Sequence, residues 1–245
     1  MVCWVAERAL AARNVDRVIV ATDSERIVDA VRARGIEAML TSGEHASGTD
    51  RVAEVAAALS DAEIIVNVQG DEPMISPQTI EKAVEVMAAE INKLTGSGKP
   101  TGGKSSEAAG IVTTWEPIES TADLLDPDLV KVVVDADDNA VYFSRSPIPY
   151  PRDAVKRHGS TEVALIEEPE LLKLFRKHTG LYVYRRDVLL AFTGWPPTQL
   201  EQMEALEQLR ALEHGIKIKV IAACSTSIGV DTLVDLQRVE AELSA

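Results

Sequence analysis

The chain has 245 residues, of which 46% are hydrophobic, and this is enough apolar chain to bury the core of one large globular domain. Its 39 aspartates and glutamates outnumber its 25 lysines and arginines, so the formal net charge is −14 at pH 7. This excess of acid, with no basic block in the sequence, argues against nucleic acid or an anionic membrane as a partner. An anionic substrate would have to be bound by a few local groups.

Cysteine usage and the opening residues bear on the cell compartment. Cys3 and Cys224 are the only cysteines, and their spacing suits neither a disulfide framework nor a structural zinc site. Glu7 and Arg8 stand where a signal peptide needs a continuous apolar core, and no segment approaches ~18 apolar residues. We therefore expect a cytoplasmic chain that is neither exported nor membrane-spanning.

Strand and helix patterns alternate through the first third of the chain. β-Branched and apolar runs predict strands, and apolar residues at helical spacing predict helices between them. This alternation implies parallel strand pairing with helices on both faces, so we predict a Rossmann-like α/β fold with a mostly parallel central sheet. The predicted strands are 17–21, 37–40 and 64–68. Three helices are predicted: one contains 27–31 and stops at Gly35, a second contains 52–59, and a third begins at Pro77.

The middle of the chain has a different pattern. Two β-branched runs, 130–134 and 140–143, flank a turn-forming segment and predict a hairpin inserted in the α/β pattern. Residues 150–168 are polar and flanked by prolines, which predicts a mobile loop. Residues 92–109 are rich in Gly, Ser, Lys and Thr and predict a flexible surface insertion. The remaining predicted elements are a short helix to 176, an amphipathic helix over about 200–214, a strand over 217–222 and a helix after 231.

Two acidic residues follow apolar strands, each beside a glycine. Residues 66–73 read Val-Asn-Val-Gln-Gly-Asp-Glu-Pro, which places Asp71 just after a strand, and Asp231 follows a second strand in the same way. Ligands of open α/β sheets bind at the carboxyl ends of strands, and two carboxylates there can hold one Mg²⁺. The alternative is structural: Asp71 opens a turn, and Asp231 precedes a helix whose start Thr232 and Asp235 complete as a capping box.

Six segments follow one another in a characteristic order: Thr-Ser-Gly-Glu-His-Ala-Ser-Gly-Thr-Asp-Arg at 41–51, Asn-Val-Gln-Gly-Asp-Glu-Pro at 67–73, Tyr-Phe-Ser-Arg at 142–145, His178 with Gly180 and Tyr182, Leu-Glu at 200–201 with Leu-Glu-Gln-Leu-Arg at 206–210, and Gly-Val-Asp-Thr at 229–232. Together they resemble the CMP-Kdo synthetases, which are 3-deoxy-manno-octulosonate (Kdo) cytidylyltransferases. The resemblance runs from about Val2 to the last helix, and it is interrupted at 92–109 and near 151–170.

The resemblance implies a reaction and a cofactor. CMP would pass from CTP to the anomeric hydroxyl of Kdo, an eight-carbon sugar acid, and pyrophosphate would leave; the product feeds lipopolysaccharide assembly. A cation that bridges carboxylates and phosphate oxygens would neutralise the departing pyrophosphate, so Asp71 and Asp231 are the predicted catalytic Mg²⁺ ligands. Ser47, Gly48, Thr49 and Gln69 offer hydroxyl, backbone and amide groups to the cytosine and ribose. Arg51 offers a cation to a phosphate or to the substrate.

Kdo carries a carboxylate and many hydroxyls, so its pocket needs a cation or donors as well as acceptors. The predicted substrate-binding residues are Arg145, His178, Tyr182 and Glu201. Three candidates also have a structural explanation. His178 would be a histidine with a local partner, Glu201 would complement a helix dipole, and Arg51 would be solvated at a helix start.

The resemblance also bears on organisation. It implies one nucleotidyltransferase-like domain over 1–245, with a hairpin, substrate and dimerisation subdomain at about 126–215, and a homodimer. Family members begin with a strand and a basic, glycine-containing loop that holds the CTP phosphates, whereas this sequence opens at the next helix, over 1–14. Without that loop we expect little CMP transfer. Two other interpretations are open: a cytidylyltransferase for another sugar acid, such as a sialic acid, and an inactive homologue that serves as a binding or oligomerisation partner.

Overall fold

The computed structural model describes the chain in two compact units, each with its own strands and helices. A long strand, Arg176–Arg185, passes from the second unit into the first after Gly180. The described residues are 1–95, 108–227, 229–230 and 232–243; of these, the first unit contains 1–95, 181–194 and 224–243, and the second contains 108–180 and 195–223.

The elements follow in chain order. The strands are β1 (Ile19–Thr22), β2 (Glu37–Leu40), β3 (Ile64–Asn67), β4 (Ile111–Pro117), β5 (Lys131–Val134), β6 (Ala140–Ser144), β7 (Arg176–Arg185) and β8 (Ile218–Ala222). The helices are α1 (Val2–Leu10), α2 (Glu25–Arg32), α3 (Gly48–Ala58), α4 (Pro77–Thr95), α5 (Thr121–Leu125), α6 (Arg152–His158), α7 (Thr161–Glu167), α8 (Arg186–Phe192), α9 (Gln199–Glu204), α10 (Gln208–Glu213) and α11 (Leu233–Leu243), with a 3-10 helix at Pro169–Leu174.

The first unit contains the predicted strand and helix alternation. β1 and β2 pair in parallel, with Ile19 opposite Glu37, while β3 pairs antiparallel with the second half of β7, with Asn67 opposite Tyr182. The helix predictions are confirmed: α2 ends before Gly35, whose φ of 74° suits glycine, and α4 begins at Pro77. Apolar side chains from α1, α2 and β2 build one core cluster, which contains Ala6, Val28, Val31, Ile36 and Ala38.

The start of α11 confirms the predicted capping box. The Thr232 backbone N–H donates to Asp235 Oδ2 at 2.9 Å, and the Asp235 backbone N–H donates to Thr232 Oγ1 at 3.2 Å. This reciprocal pair satisfies two donors that a helix start leaves open. The helix predicted after 231 therefore starts at the position that Thr232 and Asp235 indicate.

The second unit contains the predicted hairpin in a mixed sheet. Its strand order is β6-β5-β7-β4-β8; β4 and β8 are parallel, and β5 is antiparallel to both β6 and β7. The α/β class is confirmed, but the sheet is mixed rather than mostly parallel. One reason is the five-residue connection 135–139, which is too short for a parallel crossover. In that turn, Asp135 Oδ1 accepts the backbone N–H of Asp137 at 2.9 Å and of Asn139 at 2.8 Å.

The mobile loop predicted at 150–168 is wrong, because α6 and α7 occupy most of it. Ser160 caps α7 by accepting the Val163 backbone N–H, and the side chains of Ala154 and Leu165 are buried. Each helix has only seven residues, which is too short for apolar periodicity to stand out in the sequence.

The single helix predicted over about 200–214 is also wrong, since the chain forms α9 and α10 with a break between them. Ala205 adopts a left-handed conformation at φ 53°, which ends α9. Across the break, Arg210 Nε donates to Glu201 Oε2 at 2.7 Å, and a second bond joins Arg210 Nη2 to Glu201 Oε1. Glu201 also accepts the Thr198 backbone N–H at 3.1 Å. This buried ion pair holds the two short helices together.

Two other expectations concern the insertion and the membrane. Residues 92–95 of the predicted insertion complete α4, and residues 96–107 lie outside the described part of the chain. None of the described helices combines the length and the apolar character needed to cross a membrane.

The Glu201–Arg210 pair gives a stability prediction. Glu201→Ala should lower the free energy of unfolding by about 3–5 kcal/mol, because it leaves the buried Arg210 guanidinium without its partner. Glu201→Met combined with Arg210→Met should cost much less, since neither charge is then stranded. Urea unfolding measures both, with the exposed Glu213→Ala in α10 as the matched control. An equal loss in the single and double variants would contradict a paired role.

Candidate functional site

The acidic turn after β3 lies against the segment that precedes α11. The Val230 backbone N–H donates to the Asp71 carbonyl oxygen at 2.9 Å, and Ser227 Oγ donates to Glu72 Oε2 at 2.5 Å. Asp71 itself is exposed. The predicted second ligand, Asp231, lies outside the described residues, although its neighbour Val230 is bonded to this turn.

The donor set at this turn can be compared with the needs of Mg²⁺. Among the residues that the structure describes, no group of three or more His, Cys, Asp or Glu side chains could enclose a metal ion. Protein Mg²⁺ sites commonly use one or two carboxylates and complete the octahedron with water and substrate phosphates. The exposed Asp71 carboxylate fits such an open site, whereas Glu72 is bonded to Ser227.

Several predicted nucleotide residues meet where α3 begins beside the residues after β3. Ser47 is the N-cap of α3 and accepts the Asp50 backbone N–H at 3.2 Å. A Cβ placed on Gly48 would lie 3.5 Å from Gln69 Oε1. Thr49 is buried in the same turn of helix. The glycine therefore brings the Gln69 amide into van der Waals contact with the start of α3, so the predicted nucleotide residues of the two segments lie together.

Arg51 holds the loop that leads into α3. Its Nη1 donates to Thr41 Oγ1 at 2.6 Å and to the Ser42 carbonyl oxygen at 3.2 Å, and its Nη2 lies 3.3 Å from Asp23 Oδ2. These contacts satisfy the guanidinium within the protein and give Arg51 a structural role. A phosphate contact by Arg51 stays a prediction.

A glutamate one turn further along α3 holds the same loop. Glu54 Oε2 accepts the Ser42 backbone N–H at 3.1 Å and is also bonded to His45 Nε2. The His45 hydrogen bond is the main cause that lowers the pKa of Glu54. A surface depression of about 430 Å³ lies beside this pair, and its lining includes Glu44, His45, Asp50 and Glu54. Acidic walls repel a triphosphate, so this depression is a poor candidate for the CTP site.

In the second unit, His178 is held in a polar and aromatic setting. Its Nε2 lies 2.9 Å from Thr113 Oγ1, its backbone N–H donates to the Val130 carbonyl oxygen at 2.8 Å, and its ring meets the edge of Phe143 at 5.0 Å between centroids. Desolvation by the surrounding protein lowers the pKa of His178 to about 3. The imidazole is therefore neutral at physiological pH and offers one donor and one acceptor rather than a cation.

Arg145 and Glu204 form a second polar cluster in this unit. Arg145 donates from Nε to the Glu204 carbonyl oxygen at 2.8 Å and from Nη1 to the Pro127 carbonyl oxygen at 2.9 Å. The Glu204 carboxylate in turn accepts the Arg145 backbone N–H at 3.0 Å and the Ser144 hydroxyl at 2.7 Å. With a further bond from Nη2 to the Ala205 carbonyl oxygen at 3.4 Å, all three guanidinium nitrogens of Arg145 bond backbone carbonyl oxygens, which fixes the side chain in place.

The predicted site residues are divided between the units. Of the described candidates, the first unit holds the nucleotide residues with Asp71 and with Tyr182, whose ring stacks on Tyr184 at 5.8 Å. The second holds Arg145, His178 and Glu201, and Glu201 is engaged with Arg210 and the Thr198 backbone. Three residues that bond predicted site residues were not predicted from the sequence: Asn67 bonds Gln69, Thr113 bonds His178 and Glu204 bonds Arg145. Of these, only Asn67 lies inside one of the six segments that carry the family resemblance.

A family model described as cytidylyltransferase matches residues 1–218, so the chain belongs to a family of the nucleotidyltransferase class. The chain belongs to the 3-deoxy-manno-octulosonate cytidylyltransferase family. It is 44% identical to the protein of that name from Syntrophotalea carbinolica over 99% of this chain and 88% of the relative, and 48% identical to the one from Geotalea daltonii over 98% and 86%. A solved CMP:2-keto-3-deoxy-manno-octonic acid synthetase complexed with CTP matches at TM-score 0.80 and 38% identity, over 99% and 87%.

His178 gives a pH prediction. Its pKa of about 3 in the folded chain lies below the ordinary 6.5, so between these values the unfolded chain binds a proton that the folded chain does not. Stability should therefore be unaffected by this group above pH 6.5 and should fall below it, by at most about 1.4 kcal/mol per pH unit. His178→Gln should lack this component in urea unfolding from pH 7.5 to 4, and the exposed His214→Gln is the control. Parallel profiles for wild type and His178→Gln would contradict the lowered pKa of this imidazole.

Gly48 gives a binding prediction. Gly48→Ala should weaken CTP binding by at least about tenfold, or 1.4 kcal/mol, because the methyl group would stand beside the Gln69 amide, where the nucleotide is proposed to approach the backbone. Stability should be unchanged or higher, since Ala is the better helix former. Calorimetric CTP titration and thermal unfolding measure the two effects. Thr161→Ala, at the same position of the Ser-capped helix α7, is the control. Unchanged CTP affinity would remove Gly48 from the nucleotide site.

Proposed function

We propose that this chain transfers CMP from CTP to the anomeric hydroxyl of Kdo and releases pyrophosphate. The observation that carries the proposal is the turn after β3, where Asp71 is exposed beside the hydrogen bonds from Ser227 and Val230, in a chain of this family. Gln69 in the same turn lies in van der Waals contact with Gly48. One acidic turn thus offers groups for both a phosphate-bound cation and a nucleoside.

The reaction forms a bond from the sugar oxygen to the α-phosphorus of CTP and breaks the bond from that phosphorus to the bridging oxygen. Negative charge grows on the departing pyrophosphate, and a net charge of −14 provides no general field to offset it. We propose that Asp71 and Asp231 hold Mg²⁺, which when bound supplies positive charge to the phosphate oxygens. The remaining work of the described nucleotide residues is to bind and orient the cytidine.

The proposed Kdo contacts are Arg145, His178, Tyr182 and Glu201. Arg145 is the cation of this set and suits the Kdo carboxylate. His178 suits a sugar hydroxyl, because its lowered pKa keeps the imidazole neutral. Glu201 contributes through the position of α9, since Arg210 and Thr198 already occupy its carboxylate. We further propose a homodimer in the cytoplasm, supported by the composition and the family resemblance.

The direct test is an assay of pyrophosphate release and CMP-sugar formation by full-length protein with CTP, Mg²⁺ and either Kdo or a sialic acid. The proposal expects rapid turnover with Kdo and little with the sialic acid. Faster turnover with the sialic acid would move the protein to another sugar-acid substrate. No CMP transfer to either acceptor by folded protein would contradict the proposed activity.

The metal proposal gives a separate prediction. Asp71→Asn should lower kcat/KM by about 10²-fold or more and raise the Mg²⁺ concentration for half-maximal rate, because an amide cannot supply the carboxylate charge. A Mg²⁺ titration at saturating CTP and Kdo measures this. The exposed Asp61→Asn, before β3, is the matched control. Turnover of Asp71→Asn at the control's rate under limiting Mg²⁺ would remove Asp71 as a ligand.

A further inference from the structure

The carboxylate of Glu72 joins the turn after β3 to the segment 224–230, which leads to the proposed metal ligand Asp231. Ser227 Oγ donates to Glu72 Oε2 at 2.5 Å. A Cβ on Gly229 would lie 3.6 Å from Glu72 Oε1, in ordinary van der Waals contact. This carboxylate therefore lies beside the segment at two positions, and the proposed reaction does not yet use it.

The backbone of Glu72 is held by its own turn. Its N–H donates to the Gln69 carbonyl oxygen at 3.3 Å, and its carbonyl oxygen accepts the Ile75 backbone N–H at 3.1 Å. The 19-residue helix α4 begins shortly afterwards, at Pro77. The Glu72 carboxylate can therefore serve as a fixed point for a less regular part of the chain.

The segment 224–230 is such a part, because its described residues form neither helix nor strand. Ordering irregular backbone costs about 1–2 kcal/mol per residue, so bonds to a fixed element must offset this cost. The Cys224 backbone N–H donates to Thr79 Oγ1 at 2.9 Å, and the Val230 backbone N–H donates to the Asp71 carbonyl oxygen at 2.9 Å. The bond to Glu72 lies between these two and holds the middle of the segment.

We propose that Glu72 is a positioning residue of the metal site, which fixes the segment leading to Asp231 through Ser227 and does not itself bind the cation. This inference rests on the proposed function. A hydrogen bond to a carboxylate is about twice as strong as one between neutral groups, so Glu72 is a firm anchor for the Ser227 hydroxyl. Residues that hold metal ligands in place typically change metal affinity by about 10–100-fold when they are mutated.

The first test is calorimetric titration of full-length protein with CTP, once with EDTA and once with Mn²⁺. The ratio of the two dissociation constants measures how much the metal strengthens CTP binding. Glu72→Ala should lower this ratio at least about tenfold. Ser227→Ala removes the same hydrogen bond and should lower it similarly, and the double variant should show no further loss. The exposed Glu85→Ala in α4 is the matched control.

A conservative variant separates positioning from metal binding. Glu72→Gln keeps an oxygen that accepts the Ser227 hydroxyl but carries no charge. A positioning role predicts that its ratio falls much less than that of Glu72→Ala. A metal ligand would lose its charge in both variants, so the two ratios would then fall equally.

Hydrogen exchange in the protein without CTP or metal gives a second readout. Glu72→Ala and Ser227→Ala should speed exchange of peptides that cover 224–230 by about tenfold or more, because the segment loses a hydrogen bond to a charged group. Glu72→Gln should keep most of the wild-type protection, and Glu85→Ala should keep all of it.

The outcomes separate this inference from the proposed function. A wild-type ratio or wild-type exchange in folded Glu72→Ala, an equal loss in Glu72→Gln, or additive losses in the double variant would overturn the positioning role. If Glu72→Ala does not fold, Ser227→Ala, which removes a single oxygen atom, takes its place. If wild-type protein makes no CMP-Kdo, the proposed function fails, and the titrations and the exchange still test the inference. Equal affinity of wild type for CTP with and without Mn²⁺ would then overturn it.

Discussion

The candidate site depends on the hydrogen bonds that join the turn after β3 to the segment before α11. Ser227 reaches Glu72 across 155 residues of sequence, and Val230 donates its backbone N–H to Asp71. Because Asp71 uses its carbonyl oxygen and Glu72 its carboxylate, the Asp71 carboxylate is left exposed for a ligand. The same turn carries Gln69, so a change in this pairing would disturb the proposed cation ligand and the proposed nucleoside contact together.

In the second unit, one buried and one partly exposed cation bond backbone oxygens of the same loop. Lys131 is fully buried and donates from Nζ to the carbonyl oxygens of Asp126 at 2.8 Å and Leu129 at 2.6 Å. Burial lowers the pKa of this lysine. Arg145 bonds the carbonyl oxygen of Pro127 in the same loop. Two cations thus hold one loop through backbone oxygens, which positions the arginine that is proposed to meet the Kdo carboxylate.

Local patterns predicted much of the fold, and the misses come from helices too short to show a period and from conformations that the tertiary setting imposes. The helix start at Pro77, the helix stop at Gly35 and the hairpin turn at 135–139 can be predicted from the sequence, because these residue types have known backbone preferences. The break at Ala205 cannot, because an alanine has no preference for the left-handed conformation, which its tertiary setting must impose. The resemblance identified Gln69, but only the structure shows its hydrogen bond with Asn67.

The most direct measurement is a crystal structure of the full-length protein with CTP and Mn²⁺ in place of Mg²⁺, with the metal located by its anomalous scattering. We expect the ion within about 2.2 Å of an Asp71 carboxylate oxygen and of phosphate oxygens, with the cytidine against Gly48. A metal bound only by phosphate and water, with the Asp71 carboxylate turned away from it, would show that Asp71 is not a metal ligand.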